Sequence, residues 1–219
     1  MTITAERINA AFLFQTAYEN RYTWDANFTG FTATAQLTQN GLVHQADVTI
    51  SPELKVSVAN ANSSEAEKAI YGQMQEIVIH RVHRSFENVH GKNEFSYGDS
   101  DESGEVLILV GGASAGDRYK VKDKIVTMVH RHIHGTVVTI NVLSTFDTGK
   151  GYLPMDYNSF YSKPNDPDSI SPMQHHHDEY ADFGNYFIMT SRTVSTDGDA
   201  QPQEFKLTNI VLLSNLGLG

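Results

Sequence analysis

The stretch SSEAEKAIYGQMQEIVIHRVHRSFENV, residues 63–89, is the one long helical pattern in a chain of otherwise short β segments. Asn62 and Ser64 are both suitable N-cap residues, and a capping-box pattern starts at Ser64. The pattern predicts one helix that buries an apolar arc against a sheet, with His83 and His90 on the solvent-facing side. The side chains of this arc are Ile70, Tyr71, Met74, Ile77, Val78 and Val82.

Alternating apolar and polar residues on both sides of this stretch are typical of β-strands. Residues 31–37 and 42–50 alternate around Asn40-Gly41, a pair that favours a tight hairpin turn. Residues 22–28 and 54–58 give two further strands before the helix. Strands are predicted after it at residues 93–97, 105–110, 118–121, 125–133, 136–146, 152–161, 175–182, 186–194 and 204–213.

Together these elements predict an α+β fold in which a single strongly curved antiparallel sheet, a half-barrel or open barrel, wraps around one long helix. An N-terminal helix is predicted over residues 5–20, where apolar side chains cover more than one face. A closed barrel is the alternative arrangement. No internal repeat or break in composition divides the chain, so a single domain over residues 1–219 is predicted.

Composition excludes several functional classes. The chain has 26 acidic and 16 basic residues and a formal net charge of −10, which argues against a nucleic-acid partner. It has no cysteine, which excludes disulfides, thiolate nucleophiles, iron–sulfur clusters and cysteine zinc sites. No stretch approaches the length of a membrane span, and no secretion signal frames the apolar residues 10–14. We therefore expect a soluble, cytoplasmic protein.

Two short motifs imitate known sites. Residues 112–116, GASAG, match the nucleophile-elbow pattern G-x-S-x-G, but that pattern requires a helix after the serine, whereas residues 118–121 continue as β. Residues 99–104, DSDESG, match the first half of a calcium loop, but Val110 stands where a bidentate Glu is needed. We interpret the two motifs as β connections, and no catalytic residues are predicted.

Histidines form the sharpest chemical pattern. His130, His132 and His134 alternate along a predicted strand, so their imidazoles would point to one face. Such sets bind zinc, copper, iron or nickel, and these three residues are the candidate metal ligands. The cluster HHHDE at residues 175–179 offers further ligands if it lies close. Gly135 is expected to bend the chain just after His134, and a His-rich polar rim without metal is the competing interpretation.

Several groups of residues also carry a resemblance: RYTWDANF at 21–28, RSF at 84–86, HGKN at 90–93, GD and YK within 116–120, DTG and GYL within 147–153, and LTNI at 207–210. Together they resemble a family of uncharacterised proteins found mainly in cyanobacteria, with related plastid proteins (domain of unknown function 3386). The resemblance covers almost the whole chain and implies no established activity and no catalytic residues.

The predicted order of elements is also similar to the half-barrel of LolA-type lipoprotein carriers, in which a curved sheet and a helical lid enclose a cavity for acyl chains. This chain differs from those carriers in lacking an export signal. The similarity is one of topology and supports an analogy alone.

The leading functional hypothesis is a non-enzymatic binding protein that holds a hydrophobic or amphiphilic small molecule (lipid, carotenoid or tetrapyrrole) between the sheet and the long helix. One alternative is a His-based metalloprotein, with or without catalytic activity, and another is an assembly or scaffold factor in photosynthetic cells. The sequence does not identify a cofactor. For the aromatic residues, packing in the protein core is the interpretation that competes with a ligand pocket. The candidate ligand-binding residues are Trp24, Phe31, Met74, Ile77, Tyr152 and Tyr186.

Overall fold

The computed structural model describes residues 9–100, 102–166 and 168–214, and in this part of the chain it has three helices and twelve strands. The helices are α1 (Ala10–Glu19), α2 (Ser64–Arg81) and α3 (Phe86–His90). The strands are β1 (Phe31–Gln39), β2 (Leu42–Ile50), β3 (Val56–Ala59), β4 (Asn93–Ser100), β5 (Val106–Gly112), β6 (Arg118–Lys122), β7 (Ile125–Ile133), β8 (Thr136–Asp147), β9 (Tyr152–Ser162), β10 (Gln174–Phe183), β11 (Tyr186–Thr196) and β12 (Gln203–Leu212).

The strands are hydrogen-bonded in the linear order β3-β2-β1-β12-β11-β10-β9-β8-β7-β6-β5-β4. The prediction of an α+β fold with one antiparallel sheet is confirmed. The alternative of a closed barrel is wrong, because β3 and β4 stand at the two ends of an open order.

The internal contacts divide the chain into two compact units. The first unit consists of Met1–Arg21 and Arg84–Met173, and it contains α1, α3 and β4 to β9. The second unit consists of Tyr22–His83 and Gln174–Gly219, and it contains α2, β1 to β3 and β10 to β12. Neighbouring strands within each unit run antiparallel. The prediction of one domain over residues 1–219 remains a prediction.

In the first unit, α1 begins where the Asn9 side chain accepts a hydrogen bond from the Ala11 amide at 2.8 Å. The helix packs against β4, β6 and β7, and the buried Phe14 ring stacks on Tyr119 with centroids 4.2 Å apart. The predicted helix over residues 5–20 is confirmed from Ala10 to Glu19, and its first four residues lie outside the described part of the chain.

In the second unit, α2 is capped by Ser63, whose hydroxyl accepts from the Ala66 amide at 3.1 Å. The predicted N-caps Asn62 and Ser64 are therefore wrong by one residue in each direction. The Asn62 side chain instead donates to the Val43 carbonyl of β2 at 3.2 Å.

The buried face of α2 packs against β1, β2 and β3. The prediction is confirmed for Ile70, Met74, Ile77 and Val78, which are buried, and wrong for Tyr71, which is 44% exposed. A single sheet wrapped around one long helix is also wrong, because the helices pack locally: α2 lies on the strands of one unit and α1 on those of the other.

The long helix predicted over residues 63–89 is broken between residue 81 and residue 86. Val82 has extended backbone angles, φ −63° and ψ 122°, and forms an isolated β-bridge with Trp24. Ser85 then starts α3 by accepting from the Asn88 amide at 3.3 Å. His90 is buried against Phe14, Tyr18 and Phe86 of the first unit rather than exposed, and this part of the prediction is wrong.

The strand predictions after the helices are confirmed to within three residues at each end, and the largest difference is at the end of β4. Asn40 and Gly41 have positive φ values of 53° and 74°, which the predicted hairpin turn between β1 and β2 requires. A strand over residues 22–28 is wrong. There Asp25 accepts a hydrogen bond from the Asn27 amide at 2.8 Å, which makes a local turn.

Candidate functional site

An aromatic cluster in the second unit brings together three of the predicted ligand-binding residues. Trp24 stacks on Phe28 with ring centroids 4.1 Å apart, and Phe31 lies edge-on to Trp24 at 6.2 Å. Tyr186 meets Phe28 edge-on at 5.0 Å. The Trp24 indole donates to the Phe187 carbonyl at 3.2 Å, so its one polar atom is satisfied. This cluster is a closely packed apolar wall with one half-buried residue, Tyr186, at its edge.

The buried face of α2 carries two more predicted residues, Met74 and Ile77. Arg81 follows Ile77 by one turn and Met74 by two, so the three side chains lie on the same face of the helix. Arg81 is only 8% exposed. The apolar face of α2 therefore ends, at its C-terminus, in a buried positive charge.

Next to this end of α2, β10 and β11 supply a buried ion pair. Both oxygens of the Asp178 carboxylate accept from the Arg192 guanidinium, each at 2.7 Å. Arg192 also donates to Glu76 of α2 at 3.0 Å. The two parallel bonds between Asp178 and Arg192 have the bidentate geometry that makes such pairs strong.

Arg81 is held differently from Arg192. Its guanidinium donates to the His80 carbonyl at 3.1 Å and to the Tyr180 hydroxyl at 3.5 Å, and it lies 5.6 Å from the centre of the Tyr180 ring. Within 4.0 Å of this guanidinium there is no carboxylate oxygen from the described residues. Burial lowers the pKa of Arg81 and raises the pKa of Tyr180. Arginine nevertheless keeps its proton in proteins, so the charge remains.

Tyr152, the sixth predicted ligand-binding residue, belongs to the first unit. Its hydroxyl accepts from the Val126 amide at 3.0 Å, and its own amide donates to the Asn20 carbonyl at 3.0 Å. Burial raises the pKa of this hydroxyl. These contacts join the start of β9 to β7 and to the end of α1, which is a structural role within the first unit.

The predicted metal ligands lie in the first unit and differ in their surroundings. His130 has both ring nitrogens engaged, since the Arg118 guanidinium donates to Nε2 at 3.0 Å and Nδ1 lies 2.9 Å from the Thr139 hydroxyl. Burial, reinforced by the charge of Arg118, lowers the pKa of His130. His134 lies beyond the end of β7 with a positive φ of 49°, in the bend that Gly135 predicted.

His132 forms a pair with the buried Asp117. One carboxylate oxygen of Asp117 lies 2.9 Å from the His132 amide and 3.2 Å from Nδ1 of its ring. Nε2 is the ring nitrogen of His132 that Asp117 does not contact, and the His132 side chain is 42% exposed. Gly116 lies against the same ring, and a Cβ atom at this position would stand 3.1 Å from its Cε1 atom. The glycine-rich connection at residues 112–116 thus makes room for the Asp117–His132 pair.

The second histidine cluster is divided between the two faces of β10, because neighbouring residues of a strand point to opposite sides. His175 is exposed and lies 3.1 Å from Asp197, and His177 is exposed and lies 3.9 Å from Glu179. His176 lies on the face of Asp178, where burial lowers the pKa of His176 to about 4. In the described ranges, no group of three or more His, Asp or Glu side chains is arranged to hold a metal ion.

A comparison with protein-family models matches residues 5–213 to the family described as "Protein of unknown function (DUF3386)". The chain belongs to this family. No curated protein and no solved structure matches the chain. The family assignment confirms the resemblance to domain of unknown function 3386, whereas the occurrence in cyanobacteria and plastids and the LolA-type topology stay predictions. It brings no activity, ligand or site residue to this DUF3386 protein.

Sequence reasoning missed the charge network of Arg81, Asp178, Tyr180 and Arg192 in this DUF3386 protein, and it named Asp178 only within the HHHDE cluster at residues 175–179. A signal existed for Arg81, since it continues the spacing of the apolar arc of α2. The pairing of Asp178 with Arg192 depends on which residues of β10 and β11 stand opposite each other, and neither residue has a local signature.

A surface pocket of about 320 Å³, separate from the residues above, lies among β1, β2 and the segment after β3. Polar side chains, including Gln45, Asp47, Asn60 and Asn62, form much of its lining, and the Asn60 amide donates to Asp47 at 2.7 Å. This lining does not suit an apolar ligand. None of the helices formed by the described residues has both the length and the apolar character that a bilayer crossing requires.

Proposed function

We propose that this protein is a non-enzymatic carrier or sensor that binds a hydrophobic or amphiphilic small molecule, such as a lipid, carotenoid or tetrapyrrole, between α2 and the strands of the second unit. One observation carries the proposal: this compact unit contains five of the six candidate residues on the buried face of α2 and in the aromatic cluster. They are Trp24, Phe31, Met74, Ile77 and Tyr186. Apolar burial contributes about 25 cal/mol per Å², which is sufficient to hold such a ligand with few polar contacts.

Binding in this place requires α2 to move away from the sheet, because Met74 and Ile77 are closely packed in the present arrangement. One tie between the helix and the sheet is the Glu76–Arg192 ion pair at 3.0 Å, in which the Glu76 side chain is 57% exposed. Glu76 can exchange this partner for water, and Arg192 keeps both of its bonds to Asp178, so this tie is a weak restraint on movement of α2.

Native mass spectrometry of the untagged protein, purified from its own host without a metal column, tests the proposal. We expect an organic mass adduct that is lost on denaturation, because the apolar surface of the ligand is removed from water when it lies against α2. A bare protein mass, together with no uptake of the neutral dye Nile red by the purified protein, would overturn the proposal.

A pair of double variants locates the binding site. Met74→Ala with Ile77→Ala enlarges the space under α2, and we expect the affinity for Nile red to change severalfold. Leu42→Ala with Val43→Ala is the matched control, since it removes apolar side chains that are 62% and 52% exposed. Equal dye binding by the two double variants and the wild type would place the dye elsewhere.

A His-based metalloprotein is the second candidate, and the Asp117–His132 pair is the observation that favours it. A histidine that binds a metal through one ring nitrogen usually donates its other ring N–H to a carboxylate, as Nδ1 of His132 is placed to do. The proposal predicts bound metal in untagged protein that His132→Ala removes and His134→Ala retains. Metal analysis by mass spectrometry measures this, and a metal-free wild type contradicts it.

The third hypothesis, an assembly or scaffold factor in photosynthetic cells, stays a prediction. A pull-down from the host that yields no reproducible partner would count against it.

A further inference from the structure

The buried charges of the second unit are unequal in number. Two guanidinium groups, those of Arg81 and Arg192, are each 8% exposed, whereas Asp178 is the one buried carboxylate among the described residues beside them. Arg192 engages both oxygens of Asp178 and has Glu76 as a further partner. Arg81 is left with a backbone carbonyl and a phenol hydroxyl as its acceptors.

A buried cation with neutral acceptors carries a cost of desolvation, and the nearby Asp178 carboxylate offsets it only in part because both of its oxygens accept from Arg192. The carbonyl groups at the C-terminus of α2 offset part of this cost through the helix dipole. An anion at the guanidinium would offset more of it, because a carboxylate and a guanidinium match in shape and can form two parallel hydrogen bonds. The Tyr180 hydroxyl, which accepts from the same guanidinium at 3.5 Å, donates its one proton to Asp178 at 3.3 Å, so the guanidinium itself would hold the anion.

The position of Arg81 on α2 gives the anion its chemical class. The apolar side chains Ile70, Met74 and Ile77 precede Arg81 on the same buried face, at intervals of three or four residues. From Ile70 to Arg81 the helix rises about 16 Å, which is comparable to the length of a long acyl chain. The face is thus apolar along its length and positive at one end, which is complementary to an amphiphile with an anionic head.

We propose that Arg81 is the receptor for the carboxylate head of an amphiphilic ligand whose apolar tail lies along the buried face of α2. This inference rests on the proposed function, and it adds the ligand's charge, its orientation and the residue that selects it. The tail would run from Arg81 toward Ile70, and the carboxylate would replace the His80 carbonyl as an acceptor of the guanidinium.

Binding of oleate and of oleyl alcohol to delipidated protein tests the inference, since the two probes share one tail and differ in head group. The chain has a single tryptophan, Trp24, whose amide donates to the Arg81 carbonyl at 2.9 Å, so its fluorescence reports on this end of α2. We expect the wild type to bind oleate about 10- to 100-fold more tightly than oleyl alcohol, as is typical of a hydrogen-bonded charge. Acetate, which has the head without the tail, should not compete.

Arg81→Met tests the residue itself. It removes the charge, leaves no carboxylate without its partner, and is expected to fold. We expect this variant to bind oleate and oleyl alcohol with equal affinity. Lys206→Met is the control, because it removes an exposed positive charge of the same unit, and it should keep the preference for oleate.

The outcomes separate this inference from the proposed function. Equal binding of the two probes by the wild type would overturn the inference and leave the proposed function standing. Arg81 would then act only by hydrogen bonding at the C-terminus of α2. A preference for oleate that persists in Arg81→Met would also overturn it. If the wild type binds neither probe, the inference and the proposed function both fail.

Discussion

Asp178 is the residue on which the buried charges of the second unit depend, because it is the carboxylate that Arg192 holds by two bonds of 2.7 Å. We predict that Asp178→Asn destabilises the protein by about 3–5 kcal/mol, since it leaves two buried guanidinium groups without a buried anion. Urea unfolding of the variant and the wild type at neutral pH measures the change.

The matched control for Asp178→Asn is Glu204→Gln, which breaks a salt bridge of similar length, 2.9 Å, between exposed side chains. We expect this change to cost about 1 kcal/mol or less. A small effect of both substitutions would show that the Asp178–Arg192 pair contributes no more than a surface pair does.

His90 is predicted to make the stability of the protein dependent on pH. It lies 5.0 Å from the Tyr18 ring and 5.1 Å from the Phe14 ring, and burial, together with the positive charges of Arg131 and Arg21, lowers the pKa of His90 from 6.5 to about 4. The unfolded chain therefore binds a proton at higher pH than the folded chain does. The contribution of neutral His90 to the free energy of unfolding is therefore fully present above pH 6.5 and is lost as the pH falls toward 4.

Substitution of His90 by Phe isolates this effect. Between pH 7 and pH 4.5 we expect the free energy of unfolding to fall by about 2 kcal/mol less in His90→Phe than in the wild type. His176, whose pKa is also lowered to about 4, is present in both proteins and cancels in the difference. An identical slope in His90→Phe and the wild type would contradict the assignment.

At the scale of elements, the start of α2 shows how local chemistry fixes a helix boundary. The Ser63 hydroxyl satisfies the Ala66 amide, one of the donors that have no partner within the helix. We predict that Ser63→Ala lowers the free energy of unfolding by about 1 kcal/mol. Ser64→Ala is the control, because Ser64 is the first residue of the helix and does not cap it, and its effect should be within about 0.5 kcal/mol. Equal losses would place the cap at Ser64.

The break between α2 and α3 contradicts the continuous helix that the sequence pattern predicted over residues 63–89. The apolar arc continues through Val82, so helical periodicity alone extends the helix beyond Arg81. The helix stops because Val82 adopts an extended conformation beside Trp24. In addition, the amide of Trp24 donates a hydrogen bond to the Arg81 carbonyl at 2.9 Å. Both events depend on residues nearly sixty positions away in the chain, which no local pattern contains.

At the scale of the whole molecule, the formal net charge of −10 predicts that the protein does not bind nucleic acid. We expect no change in the anisotropy of a labelled DNA duplex of about 20 base pairs, even near 50 mM salt, where phosphate contacts are strongest. A basic DNA-binding domain serves as the positive control. Binding that weakens as salt is added would reveal a local basic surface that the overall charge conceals.

Strand positions and the hairpin at Asn40-Gly41 were determined by the sequence itself, because alternation of side chains and the positive φ of a tight turn are properties of neighbouring residues. Residues 152–161 and 186–194, for example, lie inside the strands β9 and β11 as predicted. Four of the six residues predicted for the buried arc of α2 follow for the same reason, since spacing sets the face of a helix, whereas Tyr71 at the edge of that arc is exposed.

The pairing of distant side chains was decided only by the tertiary structure. Asp178 meets Arg192 because β10 and β11 pair in one register, and Asp117 meets His132 because β6 and β7 do. His90 is buried because the rings of Phe14, Tyr18 and Phe86 pack around it. Burial and charge pairing depend on contacts between residues far apart in sequence, so the sequence by itself determined the elements and their faces, whereas the fold decided which charges those faces enclose.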